Sequence, residues 1–383
     1  MNRENREREE RENKKKIFVE AFEKISSKIK EINKDYKKTL LGQGSFGIVY
    51  EILYDGKIYA GKLIEVEKNK KDELSILREF RGPNIIKINT KYNETINKKS
   101  YNLIIMELAR LKDLRTFVNS MNDENRNLLE LIFKNPFEEK IGENFIRYFC
   151  KNIINALETL DKGDLIHYDI KPENILITKN FIFKLSDFGL LSFLSDMEKK
   201  NNEKYVRLLG GTSGYLIPEY YESLMTQQVS KTQDYFSLGA TIYYLKYGKI
   251  MLNYEVDKNA YENNSDTIID LLQDVIDKIK TTKKFDKYFI SFICSLIQYK
   301  GEDRPTFEKI YRNKWLNKYS EEINEIVGNN ENLGPQKLIK ELVKSDFIIK
   351  KQKYLDKLKN NNRNEGDYRN HKFIFKNNKK TKL

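Results

Sequence analysis

The stretch His167-Tyr168-Asp169-Ile170-Lys171-Pro172-Glu173-Asn174, with Asp187-Phe188-Gly189 downstream, decides how this chain is read. It sets a carboxylate, an ammonium, an amide and a second carboxylate at a spacing that suits phosphoryl transfer. Asp169 can accept the proton of an attacking hydroxyl, and Asn174 and Asp187 offer oxygen ligands to a hard divalent metal. Lys171 can offset charge on a moving phosphoryl group. A turn rich in Asp, Asn and Pro before an edge strand would explain each residue singly, but not their joint spacing.

Upstream, Gly42-Gln43-Gly44-Ser45-Phe46-Gly47-Ile48-Val49 places glycines where main-chain N–H groups could approach a polyphosphate. Dinucleotide-binding turns use the same letters, but a helix follows them directly, with an acidic residue about 20 positions on. Here Ile48 to Tyr54 alternates like a strand, Asp55-Gly56 signals a hairpin, and Lys57 to Ile64 reads as the returning strand. A helix is predicted from about Lys68 to Phe80, stopped by Arg81-Gly82-Pro83. Two apolar runs, around Ile85–Ile88 and Leu103–Leu108, are predicted to complete the sheet. Beyond Ala109 helical periodicity dominates, strongest from Glu143 to Leu160, then near Thr232–Tyr247, Asp266–Lys280 and Tyr288–Tyr299. Asn119 to Lys140 reads as an insertion or a loose helix pair.

From about Tyr36 to Trp315 these motifs closely resemble the eukaryotic protein kinase family, Ser/Thr type. The resemblance implies an α+β, two-lobed protein kinase fold over 36–317. Its N-lobe (36–108) would be a small antiparallel sheet with one main helix, and its C-lobe (109–317) larger and mainly helical. The implied reaction carries the γ-phosphoryl group of ATP to Ser/Thr hydroxyls of protein substrates, with ATP and Mg2+ as cofactors. The alternative is a catalytically weak pseudokinase serving as an ATP-binding scaffold.

Residue by residue, the resemblance assigns catalytic places to Asp169, Lys171, Asn174, Asp187, Lys62 and Glu73, with Asn174 and Asp187 on the metal. Lys62 would pair with the α- and β-phosphates and with Glu73; Glu79, after Ile76-Leu77, lies where the family has no partner. The nucleotide pocket would draw on Leu41, Gly42, Gly44, Ser45, Gly47, Val49, Ala60 and Leu176. Met106 would form the back wall, and Glu107 and Leu108 would meet adenine with carbonyl and amide groups. Asp113 would either meet the ribose or, with Glu173, read basic residues upstream of the acceptor. Lys171, two residues after Asp169, and Thr212, expected to hydrogen-bond Asp169, point to Ser/Thr substrates. Gly211-Thr212-Ser213-Gly214-Tyr215 before Ile217-Pro218-Glu219 resembles the segment shaping the substrate site, with Ile217 in place of the usual alanine. Glu219 is expected to pair with Arg304, and Asp234 to hold the catalytic loop from beneath.

One departure stands out: Tyr168 occupies the place of the family's arginine, which receives a phosphate on the activation segment. Tyrosine cannot supply that charge, so activity independent of phosphates at Ser192, Ser195 or Tyr205 is expected. His167 reads as a packed core residue and not as the base.

Composition sets the frame. The 383 residues are 39% hydrophobic and 33% charged, with a net charge of +13 that suits anionic partners. No nucleic-acid recognition motif accompanies that charge, so nucleic acid is not the expected partner. Two cysteines exclude a disulfide framework, and with two histidines they offer no metal-cluster spacing. No run of about 18 apolar residues could span a membrane, and the charged start has no signal-like apolar core. The expected location is cytoplasmic, with nuclear possible. Residues 1–35 read as a charged helical extension whose stripe Ile17, Ala21, Phe22, Ile25 and Ile29 packs on its own domain. Residues 318–383 read as short helices and a basic, partly disordered tail.

Overall fold

A computed structural model describes residues 3–44, 47–66, 81–120, 143–179, 182–193, 211–219, 231–252, 265–282 and 286–317. The expected helix over 68–80 with Glu73, together with Ser45, the segment 121–142, Ser195, Tyr205 and the tail from 318, lies outside them.

Five antiparallel strands form the first lobe in the order β1-β2-β3-β5-β4: β1 (Thr39–Gly44), β2 (Gly47–Tyr54), β3 (Lys57–Val66), β4 (Ile88–Ile96) and β5 (Lys99–Met106). Asp55 and Gly56 both take left-handed φ, at 46° and 68°, as the two-residue hairpin between β2 and β3 demands. Asn97 and Lys98, at 49° and 66°, do the same between β4 and β5. The fourth strand corrects the reading of Ile85–Ile88. Ile85 and Ile86 are buried and join Leu185 of the second lobe, where the Ile86 amide donates to its carbonyl at 2.9 Å. The strand begins only at Ile88, in the polar run INTKYNETI, because an edge strand half open to water needs apolar residues on one face alone.

Helix α1 (Arg3–Ser26) lies across the outer face of this sheet. Phe18, Ala21, Phe22, Ile25, Ile29 and Ile32 are buried against Ile48, Ile52, Leu63, Leu103 and Ile105. The expected packing of the stripe on its own lobe is realised with one change: Ile17 is 39% exposed and Phe18 takes the inward place. Each such burial is worth roughly 1.5–3 kcal/mol before ordering entropy is subtracted.

The second lobe holds α2 (Leu114–Ser120), α3 (Glu143–Lys162), α4 (Thr232–Tyr247), α5 (Ser265–Thr281), α6 (Lys287–Leu296), α7 (Phe307–Tyr311) and α8 (Lys314–Asn317). Short pairs β6 (Leu165–Ile166) with β9 (Ser192–Phe193), and β7 (Ile175–Ile177) with β8 (Phe183–Leu185), sit at its upper edge. Its core runs through α3, whose Phe145 and Phe149 meet Phe183 edge-on at 5.6 and 5.4 Å. It continues through the almost wholly buried α4 to Trp315, against which Phe292 stacks at 5.3 Å. Antiparallel sheet above and helices below match the expected α+β two-lobed fold.

Candidate active site

The loop between β6 and β7 carries Asp169, and its shape is imposed from below. Asp234, in the first turn of α4, accepts the His167 amide at 2.8 Å with one oxygen and the Tyr168 amide at 3.0 Å with the other. Burial pushes the Asp234 carboxyl up to about 7, while the two amides act the other way. These bonds pin Tyr168 at φ 67°, a left-handed conformation that costs a tyrosine on the order of 1–3 kcal/mol. The Tyr168 ring is buried, and its hydroxyl meets no hydrogen-bond partner among the described residues. His167 is fully buried, as expected of a core residue. Its Nδ1 accepts the Asp169 amide at 3.3 Å, so Nε2 carries the proton that reaches the Ser186 carbonyl at 3.0 Å. Burial lowers its pKa, against the opposing pull of Asp169, and the neutral form fits both bonds.

Above this floor, donors converge on Asp169. Thr212 donates its hydroxyl at 2.7 Å to one oxygen, while Lys171 at 2.7 Å and the Asn174 amide at 2.8 Å meet the other. Lys171 also reaches the Thr212 hydroxyl, and Asn174 also donates to the Asp169 carbonyl at 2.8 Å. Because the NH2 end of Asn174 faces Asp169, its side-chain oxygen is left as an acceptor. The main chain of Asn174 binds Ser186 twice at 2.9 Å, which fixes it beside the turn holding Asp187.

Asp187, at φ 59°, receives Lys62 from β3 at 2.7 Å. Burial pushes its carboxyl up, but the charge and hydrogen bond of Lys62, with the charge of Lys171 behind them, outweigh that and leave the pKa lowered. Asp187 is therefore anionic. Among the described residues no three His, Cys, Asp or Glu side chains cluster for a resident metal. One carboxylate and one amide oxygen suit Mg2+, which keeps waters and leans on substrate phosphates for its remaining ligands.

Strand register sets four of the residues expected at the nucleotide, Val49, Ala60, Lys62 and Met106, on the inner face of the sheet. Val49 pairs with Lys62, and Ala60 with Met106. Leu41 is the bulged residue between the Leu40 and Gly42 pairings of β1, and Leu176 approaches from β7, bridged to Asp113. Gly47 cannot be replaced: a Cβ there would sit 2.0 Å from the Leu63 carbonyl oxygen. The Glu107 amide is taken by the Lys87 carbonyl, and its carboxylate by the Lys87 amide at 2.7 Å and Lys184 at 2.6 Å. Asp113 caps α2, accepting the Thr116 amide at 2.8 Å and hydroxyl at 2.6 Å.

The scaffold pairs also meet. Arg304, fully buried, reaches Glu219 at 2.5 Å and donates to the Gln298 and Tyr299 carbonyls. Sequence reasoning missed Arg115, which bonds Glu173 at 2.9 Å. A lone arginine in Leu-Arg-Thr-Phe carries no signal for a partner this distant in the chain.

Comparison with known proteins places the chain in a family. Residues 36–316 match the protein kinase domain. The chain is similar to the serine/threonine-protein kinase TIO of Arabidopsis thaliana, 27% identical over 74% of this chain and 19% of that protein. It is 29% identical to an Aurora kinase of Saccharomyces cerevisiae, over 72% of this chain and 67% of that one. With the serine/threonine-protein kinase ATG1 of Debaryomyces hansenii it shares 24% identity over 80% of this chain and 36% of that one. The chain thus spans between a fifth and two thirds of the length of these relatives.

Proposed function

The chain belongs to the protein kinase family, and we propose that it transfers the γ-phosphoryl group of ATP to Ser and Thr hydroxyls of proteins. The observation that carries this reading is the convergence of Thr212, Lys171 and Asn174 on Asp169, beside the Lys62–Asp187 pair. Residues 36–317 would form the catalytic domain, flanked by the helical cover 1–35 and the tail 318–383.

Asp169 takes the proton of the acceptor hydroxyl, and Thr212 keeps its carboxylate turned toward that hydroxyl. Lys171 stands where it can follow charge from Asp169 toward the moving phosphoryl oxygens. Asn174 and Asp187 would hold Mg2+, which when bound neutralises charge on the phosphates. Lys62, on loading, would exchange Asp187 for the α- and β-phosphates. Val49, Ala60, Met106 and Leu176 would line the adenine pocket. The uncharged, buried Tyr168 supports activity that does not wait for a phosphate on the activation segment.

Radiolabel transfer from ATP to a generic protein substrate tests the reading. Asp187→Asn is expected to lower turnover on the order of 10²–10³-fold with the fold intact, as removal of one electrostatic contact at a reacting centre does. Unchanged turnover in that variant would sink the assignment. ATP-dependent thermal stabilisation of the wild type without any transfer would instead favour the scaffold reading.

A further inference from the structure

Glu173, and Asp113 if it does not meet the ribose, are the carboxylates expected to read basic residues upstream of the acceptor, and the structure engages both within the chain. Asp113 is spent on capping α2. Glu173 is held by Arg115 of the same helix at 2.9 Å. The guanidinium lies over the Tyr244 ring at 5.3 Å, and the Tyr244 hydroxyl is in turn fixed by Asn119 at 3.1 Å. Tyr215 stands close enough to both charges to feel them. The second oxygen of Glu173 is buried and has no hydrogen-bond partner among the described residues.

This cluster is joined through the chain to the groups that hold both oxygens of Asp169. Glu173 immediately precedes Asn174, whose amide binds the Asp169 carboxylate. Tyr215 belongs to the turn of Thr212, its amide returning to the Thr212 carbonyl at 3.0 Å, and Thr212 binds the other Asp169 oxygen. The side chains of Arg115 and Glu173 remain 33% and 37% exposed, so a substrate flank can touch them. What it meets is a closed ion pair and not a free carboxylate.

We propose that Arg115 is a specificity-determining residue: by occupying Glu173 in cis it makes the site indifferent to a basic residue upstream of the acceptor. The proposal rests on the kinase reading above. An arriving arginine would have to displace a guanidinium already held by an ion pair, a ring face and a fixed helix, and would gain nothing net.

The test uses the full chain and peptides that differ only in Arg or Ala at single positions upstream of the acceptor. Selectivity is read as the Arg/Ala ratio of kcat/KM. It is read again as the ratio of Kd, by fluorescence anisotropy on peptides whose acceptor is replaced by Ala, which needs no turnover. The wild type should show ratios within about twofold of one. Arg115→Gln should raise them about fivefold at one position, the size of a single part-exposed ion pair. Arg115→Lys, which keeps the charge, should stay near the wild type, and Arg115→Gln with Glu173→Gln should return to it. A wild type that already favours Arg, or an Arg115→Gln variant with unchanged ratios, overturns the proposal, as does a gain that survives in the double variant. If transfer fails throughout while the Kd ratios move as expected, the catalytic reading falls and the role of Arg115 stands.

Discussion

The two faces of the five-stranded sheet are built from alternate residues of the same strands, and they do different work. On the outer face Ile48, Ile52, Leu63, Leu103 and Ile105 are fully buried beneath α1. On the inner face Val49, Lys62 and Met106 remain part-exposed, and Lys62 holds the anionic Asp187. Period-two geometry places Lys62 and Leu63 back to back, one peptide apart. The outer face is satisfied within the chain, whereas the inner face keeps groups whose partners must arrive. A strand can therefore be stabilised from one side without touching the chemistry on the other.

The sharpest way to break this division is to change those two neighbours. Lys62→Met should reduce phosphoryl transfer on the order of 10²–10³-fold while leaving the urea midpoint nearly unchanged, since the side chain is a charge partner and not core. Leu63→Ala should do the reverse. It opens a cavity under α1 and should cost about 2–5 kcal/mol in equilibrium unfolding, with kcat within about threefold of wild type at a temperature where the protein stays folded. If Leu63→Ala lowered kcat as severely as Lys62→Met, the two faces would be mechanically coupled.

A smaller effect is expected at Gly61, which pairs with Tyr50 and Ile105 and faces α1. A Cβ there would lie 3.1 Å from Ile52 Cδ1 and 3.4 Å from the Phe22 ring, so the missing side chain is what admits Phe22. Gly61→Val should cost about 1–3 kcal/mol by overpacking. In the Phe22→Ala background the valine finds the space the ring vacated, and the same change should become neutral or stabilising, a coupling of about 0.5–3 kcal/mol. Additive costs would mean that Phe22 and Gly61 do not meet as described.

How much of this was legible beforehand follows from the range of each interaction. The hairpin at Asp55-Gly56 and the helix from Glu143 declare themselves locally, through turn chemistry and a 3.6-residue period. His167, Lys171 and Asn174 stand out by their spacing around Asp169 along one short loop, whereas Thr212 and Asp234, far along the chain, were expected only from the family resemblance and meet the loop as it implied. Strand β4 escaped because its residues are mostly polar, as an edge strand allows, while the apolar Ile85 and Ile86 beside it serve the second lobe. Arg115 escaped because nothing local marks which of many arginines meets Glu173 across the fold. The stripe of α1 was legible, but not the face it covers. That depends on Gly61, which reads in sequence as a strand glycine without a reason.

The least effect should come from the charges at the rim of the outer face, and that small number decides what holds α1 down. The helix is rich in charge, and the chain just beyond it meets the sheet through Lys28 and Glu94 at 2.8 Å. Yet the Lys28 side chain is 53% exposed and that of Glu94 31%, so water competes for both and salt screens them. Lys28→Ala should therefore shift unfolding by no more than about 0.5 kcal/mol, and the stability of the wild type should barely respond between low and moderate salt. The buried Phe18, Phe22 and Ile25 are insensitive to ionic strength, because their burial depends on apolar area and not on charge. A loss above about 1 kcal/mol in Lys28→Ala, matched by a similar loss on adding salt to the wild type, would show that α1 is held electrostatically and that its apolar stripe contributes less than its burial implies.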